Sequence, residues 1–446
     1  MILLHKQIAT SPLVEVRMYS LGGLTAEDEK TNGLGNLAMQ TLSRGTKTRN
    51  AEQIAEFFDS IGGDFETACG NNSWSWNMTC MKGDLPKAIE VYADIVANPA
   101  FADSELAEMK QRISAGIDSE DADWHSQAMR FFRQAYFGPN KSPYQFIPIG
   151  QKQVVSDATG DQLRQWYSGK VLKGRRVVAI FGDVSLDDAQ ALAKKYLGGG
   201  EKIDASVESP PQDHLNPATG EAAVEVSRVE VLKTEQPLAG IVIGYKSDSV
   251  IGQSSSFALD VLQTMASGWG YPTGYLFDTL RGRGLVYVVQ ANDMPGVRTN
   301  LPGTFIVLAG CDPKNVNTVV DLILENVARC QGTDQDMQSD WFERSKQLIT
   351  TGEAMENETA AQQAMTASLD ELYGLGYDYH AHFAERINSV TLDQVREAAR
   401  SRLRQCVVSV STPLPDLVDR KTGERTYSAF PPVDLTPRGV QHDVGK

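Results

Sequence analysis

The residue types that most often carry chemistry are scattered in this 446-residue chain. The six histidines are His5, His125, His214, His380, His382 and His442. Only His380 and His382 lie close together. Two residues apart on a helix they point about 200° from one another, so spacing alone makes no chelate of them. His125 stands alone beside Trp124, the ordinary situation of a packed or surface histidine. The five cysteines (Cys69, Cys80, Cys311, Cys330 and Cys406) are odd in number, widely spaced and without a Cys-x-x-Cys pair. That is the pattern of free thiols in a reducing compartment. The glycine-rich pieces Gly268-Trp-Gly270 and Arg281-Gly-Arg-Gly284 lack the strand, loop and Lys-Ser/Thr that cradle phosphate. Serine and cysteine nucleophile signatures are absent.

Bulk charge narrows the partners. The 42 Lys and Arg set against 57 Asp and Glu give a net charge of −15. Nucleic acid and anionic membrane both need a basic face, so neither is expected as the main partner. Basic peptides remain compatible with that field. No apolar run approaches the roughly 18–20 residues needed to span a bilayer. Met1-Ile-Leu-Leu-His5-Lys6 turns polar too soon for a signal peptide. The expected location is cytoplasmic, or periplasmic if the chain is a fragment that lost a signal peptide.

Stepping outward from these residues, alternation predicts a strand near Leu13–Tyr19, where Val14, Val16 and Met18 alternate with Glu15 and Arg17. A helix follows near Gly33–Ser43 and ends at Gly45. Asn50 and Gln53 form a weak capping box for the next helix, which stops at Gly62-Gly63. Asp64–Cys69 and Ser73–Met81 flank Gly70-Asn71-Asn72 as a hairpin, with Trp74, Trp76, Met78 and Cys80 on one face. Helices are expected near Leu85–Ala97, Ser104–Ala135, Asp161–Tyr167 and Leu186–Tyr196, with a buried strand at Arg176–Phe181. The Pro- and Gly-rich stretch around 208–220 reads as a linker. Beyond it, Pro237–Tyr245 echoes Pro12–Tyr19, and Phe305–Lys314 echoes Trp76–Lys87. The offsets, 225 residues from Pro12 to Pro237 and 227 from Lys87 to Lys314, agree closely enough to indicate an internal duplication. The expected architecture is therefore α+β, two duplicated domains with antiparallel or mixed sheets packed against helices. Their expected bounds are 1–207 and 221–415, with an irregular tail at 416–446.

In its order of local patterns, the chain resembles the insulinase/pitrilysin/mitochondrial processing peptidase family of zinc metallopeptidases. The resemblance runs from about Leu3 to Pro413. Gly33-Leu-Gly-Asn-Leu-Ala-Met-Gln-Thr-Leu-Ser-Arg-Gly-Thr46 is similar to the family's zinc helix and its terminal Gly-Thr. Ser142-Pro-Tyr144 to Ile149-Gly150 is similar to its proline–tyrosine loop. Leu276-Phe277, Leu280-Arg281 and Gly284-Leu-Val-Tyr287 are similar to its arginine–tyrosine element. Asp370–Gly376 and Arg386–Thr391 match its closing helices. The resemblance implies α/β-sandwich domains of the processing-peptidase or metallohydrolase type. Two domain pairs enclose a peptide chamber, one pair bearing the zinc, and this chain supplies one pair.

The family's motif is His-x-x-Glu-His, two neutral imidazoles on one helix face with a general-base carboxylate between them. The matching positions here are Asn36, Met39 and Gln40, and the third-ligand position falls at Gly116 or Ile117. Amides are far weaker zinc donors than imidazole, and Met39 accepts no proton. The resemblance thus implies a chain that is inactive alone and binds no zinc itself, the zinc being held by a partner subunit or half. Glu108, Asp118, Glu120 and Asp121 near the third position are either replacement ligands or a solvated helix face. Trp74, Trp76 and Trp269-Gly-Tyr271 either line a peptide chamber or belong to the core. Arg281 and Tyr287 match the family's substrate-holding pair, which suits a guanidinium and a phenol where oxyanion charge develops. Their spacing is one residue shorter than in the family, and Arg283 is the alternative to Arg281. The expected function is a non-catalytic subunit of a heteromeric peptidase that binds peptide or unfolded polypeptide. The alternative is a structural or assembly subunit without a peptidase role.

Overall fold

The computed structural model describes residues 1–198, 227–250, 256–297, 301–332 and 337–420. The expected linker at 208–220 and the tail beyond residue 420 lie outside the described residues. Along the first half run β1 (Ile2–Gln7), β2 (Leu13–Leu21), α1 (Leu34–Thr41), α2 (Ala51–Ser60), β3 (Asp64–Cys69), β4 (Ser73–Met81), α3 (Leu85–Ala97), α4 (Asp103–Ala122), α5 (Trp124–Phe137), α6 (Lys152–Asp157), α7 (Gly160–Trp166), β5 (Arg176–Gly182) and α8 (Leu186–Leu192). Along the second run β6 (Arg228–Lys233), β7 (Ala239–Lys246), α9 (Ser256–Ser267), β8 (Val286–Met294), β9 (Thr304–Cys311), α10 (Val316–Cys330), α11 (Ser339–Glu356), α12 (Ala360–Tyr373), α13 (Phe383–Ser389), α14 (Leu392–Arg402) and β10 (Cys406–Thr412). Among the described residues, no helix is long and apolar enough to cross a membrane.

The strands form two five-stranded sheets, ordered β1-β5-β2-β4-β3 and β6-β10-β7-β9-β8. The orders are the same once each strand is matched to its counterpart. In both sheets the first pair is parallel and the remaining pairs are antiparallel. The architecture is thus a duplicated α+β fold with mixed, mainly antiparallel sheets packed against helices. Alternation explains β4, whose Trp74, Trp76, Met78 and Cys80 are all buried. In β9 and β10 every residue is buried, and in β5 all but Arg176. Strands of that kind need cover on both faces of their sheet.

The covering helices divide the described residues into two packing units. Residues 1–126, 137–198 and 353–384 form the first, and 127–136, 227–352 and 385–420 the second. The sequence suggested contiguous domains, but each half gives one helical segment to the other half's unit. In the first unit α12 lies against β2 and β5. In the second, the 127–136 part of α5 brings Phe132 onto β7 at Gly244, where any side chain would strike the Phe132 ring. Arg228 of β6 donates to the carbonyl of Ala135 in the same segment.

The single helix expected over Ser104–Ala135 is two helices. Asp123 is extended between them, at φ −91° and ψ 127°. Its carboxylate accepts the Ser126 backbone N–H at 2.8 Å, so Asp123 serves to start α5.

A buried ion pair fastens α12 within its unit. Arg175 donates to the Glu371 side chain at 2.8 Å, and their side chains are only 8% and 1% exposed. Arg175 also donates to the Glu371 carbonyl at 2.8 Å, and the second carboxylate oxygen accepts the Tyr377 N–H at 3.1 Å. Removing one member strands the other charge, which typically costs ~3–5 kcal/mol. Arg175→Ala is therefore expected to lower the urea-unfolding free energy by about that much. Adding Glu371→Leu is expected to recover a large part of the loss, because no unpaired charge is then buried.

Candidate functional site

In the first unit α1 forms because Leu34, Leu37, Ala38 and Met39 can all turn into the core, and Leu42 continues that face for one more tight turn. Its start is fixed by a close backbone approach. Gly33 (φ +114°) and Gly150 (φ +99°) lie against one another, so a side chain on either would strike the other's backbone. Both take conformations that L side chains rarely adopt. This seats the 142–150 loop on the helix. Asn32 donates to the Ile147 carbonyl at 3.0 Å, and Gln151 N–H donates to the Asn32 carbonyl at 3.1 Å. Tyr144 of the loop is buried and its hydroxyl donates to Asn72 at 2.7 Å.

A carboxylate that sequence reasoning passed over completes this start. Glu27 is buried. One of its oxygens accepts the Gly35 N–H at 2.7 Å, and the other accepts the Gly33 N–H at 3.0 Å and the Asn32 amide at 2.9 Å. Two of these donors are backbone N–H groups at a helix start, which lack helical partners. Burial pushes the Glu27 carboxyl up to about 7, opposed by those three hydrogen bonds and reinforced slightly by Asp28. Cys69 lies beside it, and burial and then the Glu27 charge hold its thiol well above the usual range. That environment disfavours the thiolate form of Cys69.

The three motif positions do not converge. Asn36 is half-buried and its amide reaches the Ile149 carbonyl at 3.5 Å. Met39 is fully buried in the hydrophobic core. Gln40 is exposed. At the third position Ile117 is buried, and Gly116 faces Ile149, whose Cδ1 would lie 3.2 Å from a Cβ built there. Ile149 thus meets both Asn36 and Gly116. An apolar side chain, an amide and a thioether do not fit zinc, which takes thiolate, imidazole or carboxylate. Among the described residues, no three His, Cys, Asp or Glu side chains group so as to hold a metal ion. Of the nearby acids, Glu108 pairs with Arg44 at 2.9 Å and Asp118 with Lys152 at 2.6 Å, both on the surface. Trp74 and Trp76 are buried in the core. His380 lies between Glu353 and Asp370 and stacks on Phe383. Sequence spacing could not place either carboxylate beside it.

In the second unit Arg281 ends a wide π-helical turn over Phe277–Arg281, and its guanidinium donates to the Val286 carbonyl at 3.1 Å. Arg283 is exposed. Tyr287 falls on a β-bulge. Val286 pairs with Cys311 and Val288 with Gly310, so Tyr287 has no cross-strand position of its own. Its side chain is 61% exposed, not a buried strand tyrosine.

Two family models match this chain. The model described as "Insulinase (Peptidase family M16)" matches residues 3–141, and "Peptidase M16 inactive domain" matches residues 157–349. The chain belongs to the M16 (insulinase) peptidase family. Among its relatives, an uncharacterised zinc protease of Mycobacterium leprae is 25% identical over 410 residues, covering 90% of this chain and 87% of its own. Cytochrome b-c1 complex subunit 1 of Homo sapiens is 25% identical over 191 residues, covering 43% and 39% respectively. A solved peptidase M16 inactive domain from Pseudomonas fluorescens superposes with a TM-score of 0.78 at 18% identity, covering 92% of this chain and 95% of that one. That likeness speaks to the fold. M16 membership makes the carboxylate at the start of α1 the more notable, since α1 is the helix that would carry the family's zinc motif.

Ionising Glu27 opposes the folded state. The unfolded chain releases this proton near 4.5 and the folded chain near 7. Between those values the folded state holds more protons, so stability falls as pH rises, by at most about 1.4 kcal/mol per pH unit. Urea unfolding at pH 5 and pH 7 is expected to show this loss, and Glu27→Gln is expected to flatten it.

Proposed function

We propose that this chain is the non-catalytic half or subunit of an M16 zinc metalloendopeptidase. The observation that carries the reading is the state of α1. The helix and its docked loop are fully built, while Asn36, Met39 and Gln40 point to a carbonyl, the core and solvent. The chain alone then binds no catalytic zinc and hydrolyses nothing. Its partner is an M16 chain or half with an intact His-x-x-Glu-His helix, and its own role is to close the peptide chamber. Arg281, Arg283 and Tyr287 are the groups it lends to peptide or unfolded polypeptide held there. Two exposed, directed donors beside a bulged strand support that assignment, because a guanidinium and a phenol together can hold a peptide carbonyl as negative charge grows on its oxygen. The charge of −15 favours basic substrate segments.

A second reading is a structural or assembly subunit without a peptidase role. The similarity to a cytochrome b-c1 complex subunit supports it.

Two measurements separate these readings. The purified chain, dialysed against trace zinc, is expected to hold close to none by elemental mass spectrometry. A stoichiometry near one would overturn the zinc-free assignment. The chain is then co-expressed with an M16 chain of the same genome that retains His-x-x-Glu-His. Peptide hydrolysis is expected only from the mixture. Arg283→Ala with Tyr287→Phe is expected to lower kcat/KM by about tenfold or more while leaving complex formation and melting temperature unchanged. A stable complex without hydrolysis would favour the assembly reading.

A further inference from the structure

The second unit contains a polar cavity of about 420 Å³, within the range of roughly 300–1,000 Å³ usual for small-molecule sites. Four charged side chains, two of each sign, line it: Asp278, Arg329, Asp340 and Arg344. Asp340 and Arg344 are four residues apart on α11 and so share a helix face. Arg329 comes from the last turn of α10, and Asp278 from the turn that ends at Arg281. No ion pair joins these four groups among the described residues.

Two aromatic rings complete the wall and are held in place. The Arg329 guanidinium lies 5.5 Å from the centre of the Tyr275 ring, a cation–π contact that leaves its donors available. The Tyr275 hydroxyl accepts the Gln338 N–H at 3.2 Å. Trp341 spends its indole N–H on the Met265 carbonyl at 2.9 Å, which fixes the ring and leaves its π-face as the polarisable surface. Two cations and two carboxylates that do not satisfy one another, beside fixed aromatic rings, call for a ligand bearing both signs of charge on a partly apolar body.

We infer that this cavity is a binding site for a small zwitterion, a free amino acid or a dipeptide with both termini unblocked. The arginines take its carboxylate, the aspartates its ammonium, and Tyr275 and Trp341 its side chain. A polyanion fits poorly, since Asp278 and Asp340 would repel it. The inference does not depend on the peptidase reading, because it uses neither α1 nor Tyr287.

Calorimetric titration of the full-length chain tests it, with Gly-Phe, free phenylalanine, N-acetyl-Gly-Phe, Gly-Phe amide and inorganic phosphate as probes. Gly-Phe or phenylalanine is expected to bind saturably, and the tighter of the two identifies the ligand size. Each blocked dipeptide is expected to bind about tenfold or more weaker than Gly-Phe if the dipeptide is the ligand. Arg344→Gln and Asp340→Asn, both at exposed positions, are each expected to weaken the tighter ligand by a similar factor with the melting temperature unchanged. Should either variant melt early, the probes on the unaltered chain still decide. No saturable binding of Gly-Phe or phenylalanine up to about 10 mM, undiminished binding of both blocked dipeptides, or tighter binding of phosphate would overturn the inference.

Discussion

The constraint on which the fold depends is that its inner strands are buried on both faces. β5, β9 and β10 are buried nearly residue for residue, so each sheet must be covered on both faces. Part of the cover comes from the other half of the sequence, as α12 on the first sheet and the 127–136 part of α5 on the second. Small residues make the contact possible on one sheet, where Gly244 leaves room for Phe132. On the other, a buried ion pair between Arg175 and Glu371 holds the helix in register. A buried pair of this kind adds little net stability over an apolar pair of the same shape. Its effect is to penalise misplacement, because a shifted α12 would leave two charges unpaired in the core.

The same reliance on packing holds α1 in place. The helix is held by Leu34, Leu37, Ala38, Met39 and Leu42 in the core, by the contact of Gly33 with Gly150, and by Glu27 at its start. None of these depends on a metal. At Met39 and Gly116 the packing, rather than any metal, fits the side chains to their surroundings. Met39 is long, apolar and flexible and fills core space well. Gly116 and Ile149 close the third position by apolar contact. The carboxylate of Glu27 carries an unfavourable burial energy that its three donors offset only in part, which is why its proton is held to a higher pH.

What the sequence disclosed follows from the range over which each signal acts. The hairpin at 64–81 was legible because alternation and turn residues act within a few positions. The duplication was legible because two echoes shared nearly one offset, and the matching sheet orders agree with it. The first strand, Ile2–Gln7, was missed: Ile-Leu-Leu-His-Lys-Gln has no alternation, and its partner β5 lies some 170 residues on. The exchange of α5 and α12 was invisible for a similar reason, since an amphipathic helix reads the same whichever sheet it covers. The break at Asp123 had a local signal, an Asp three residues before Ser126, but the helical pattern on both sides masked it. Glu27 sits in an acidic loop with Asp28 and Glu29, and nothing in spacing marks which of the three is buried.

Between Arg281 and Tyr287, neighbouring residues are committed to different degrees. Arg281 is partly committed, because its donation to the Val286 carbonyl ties the π-helical turn to the start of β8. A guanidinium has five N–H donors, so one such bond does not exhaust it, but it fixes the direction of the rest. Arg283 is exposed two residues later, next to Gly284, whose φ of +69° turns the chain into the strand. The bulge then sets Tyr287 apart from the ladder and turns it outward. An extra residue in a strand costs pairing, and bulges recur where a side chain must be re-aimed. Had Tyr287 served only to fill the sheet, a regular β8 would have buried it against β9. An exposed phenol on a bulge, two strand positions from a fully paired Val289, suits the contact role proposed for Tyr287 and does not suit a core residue.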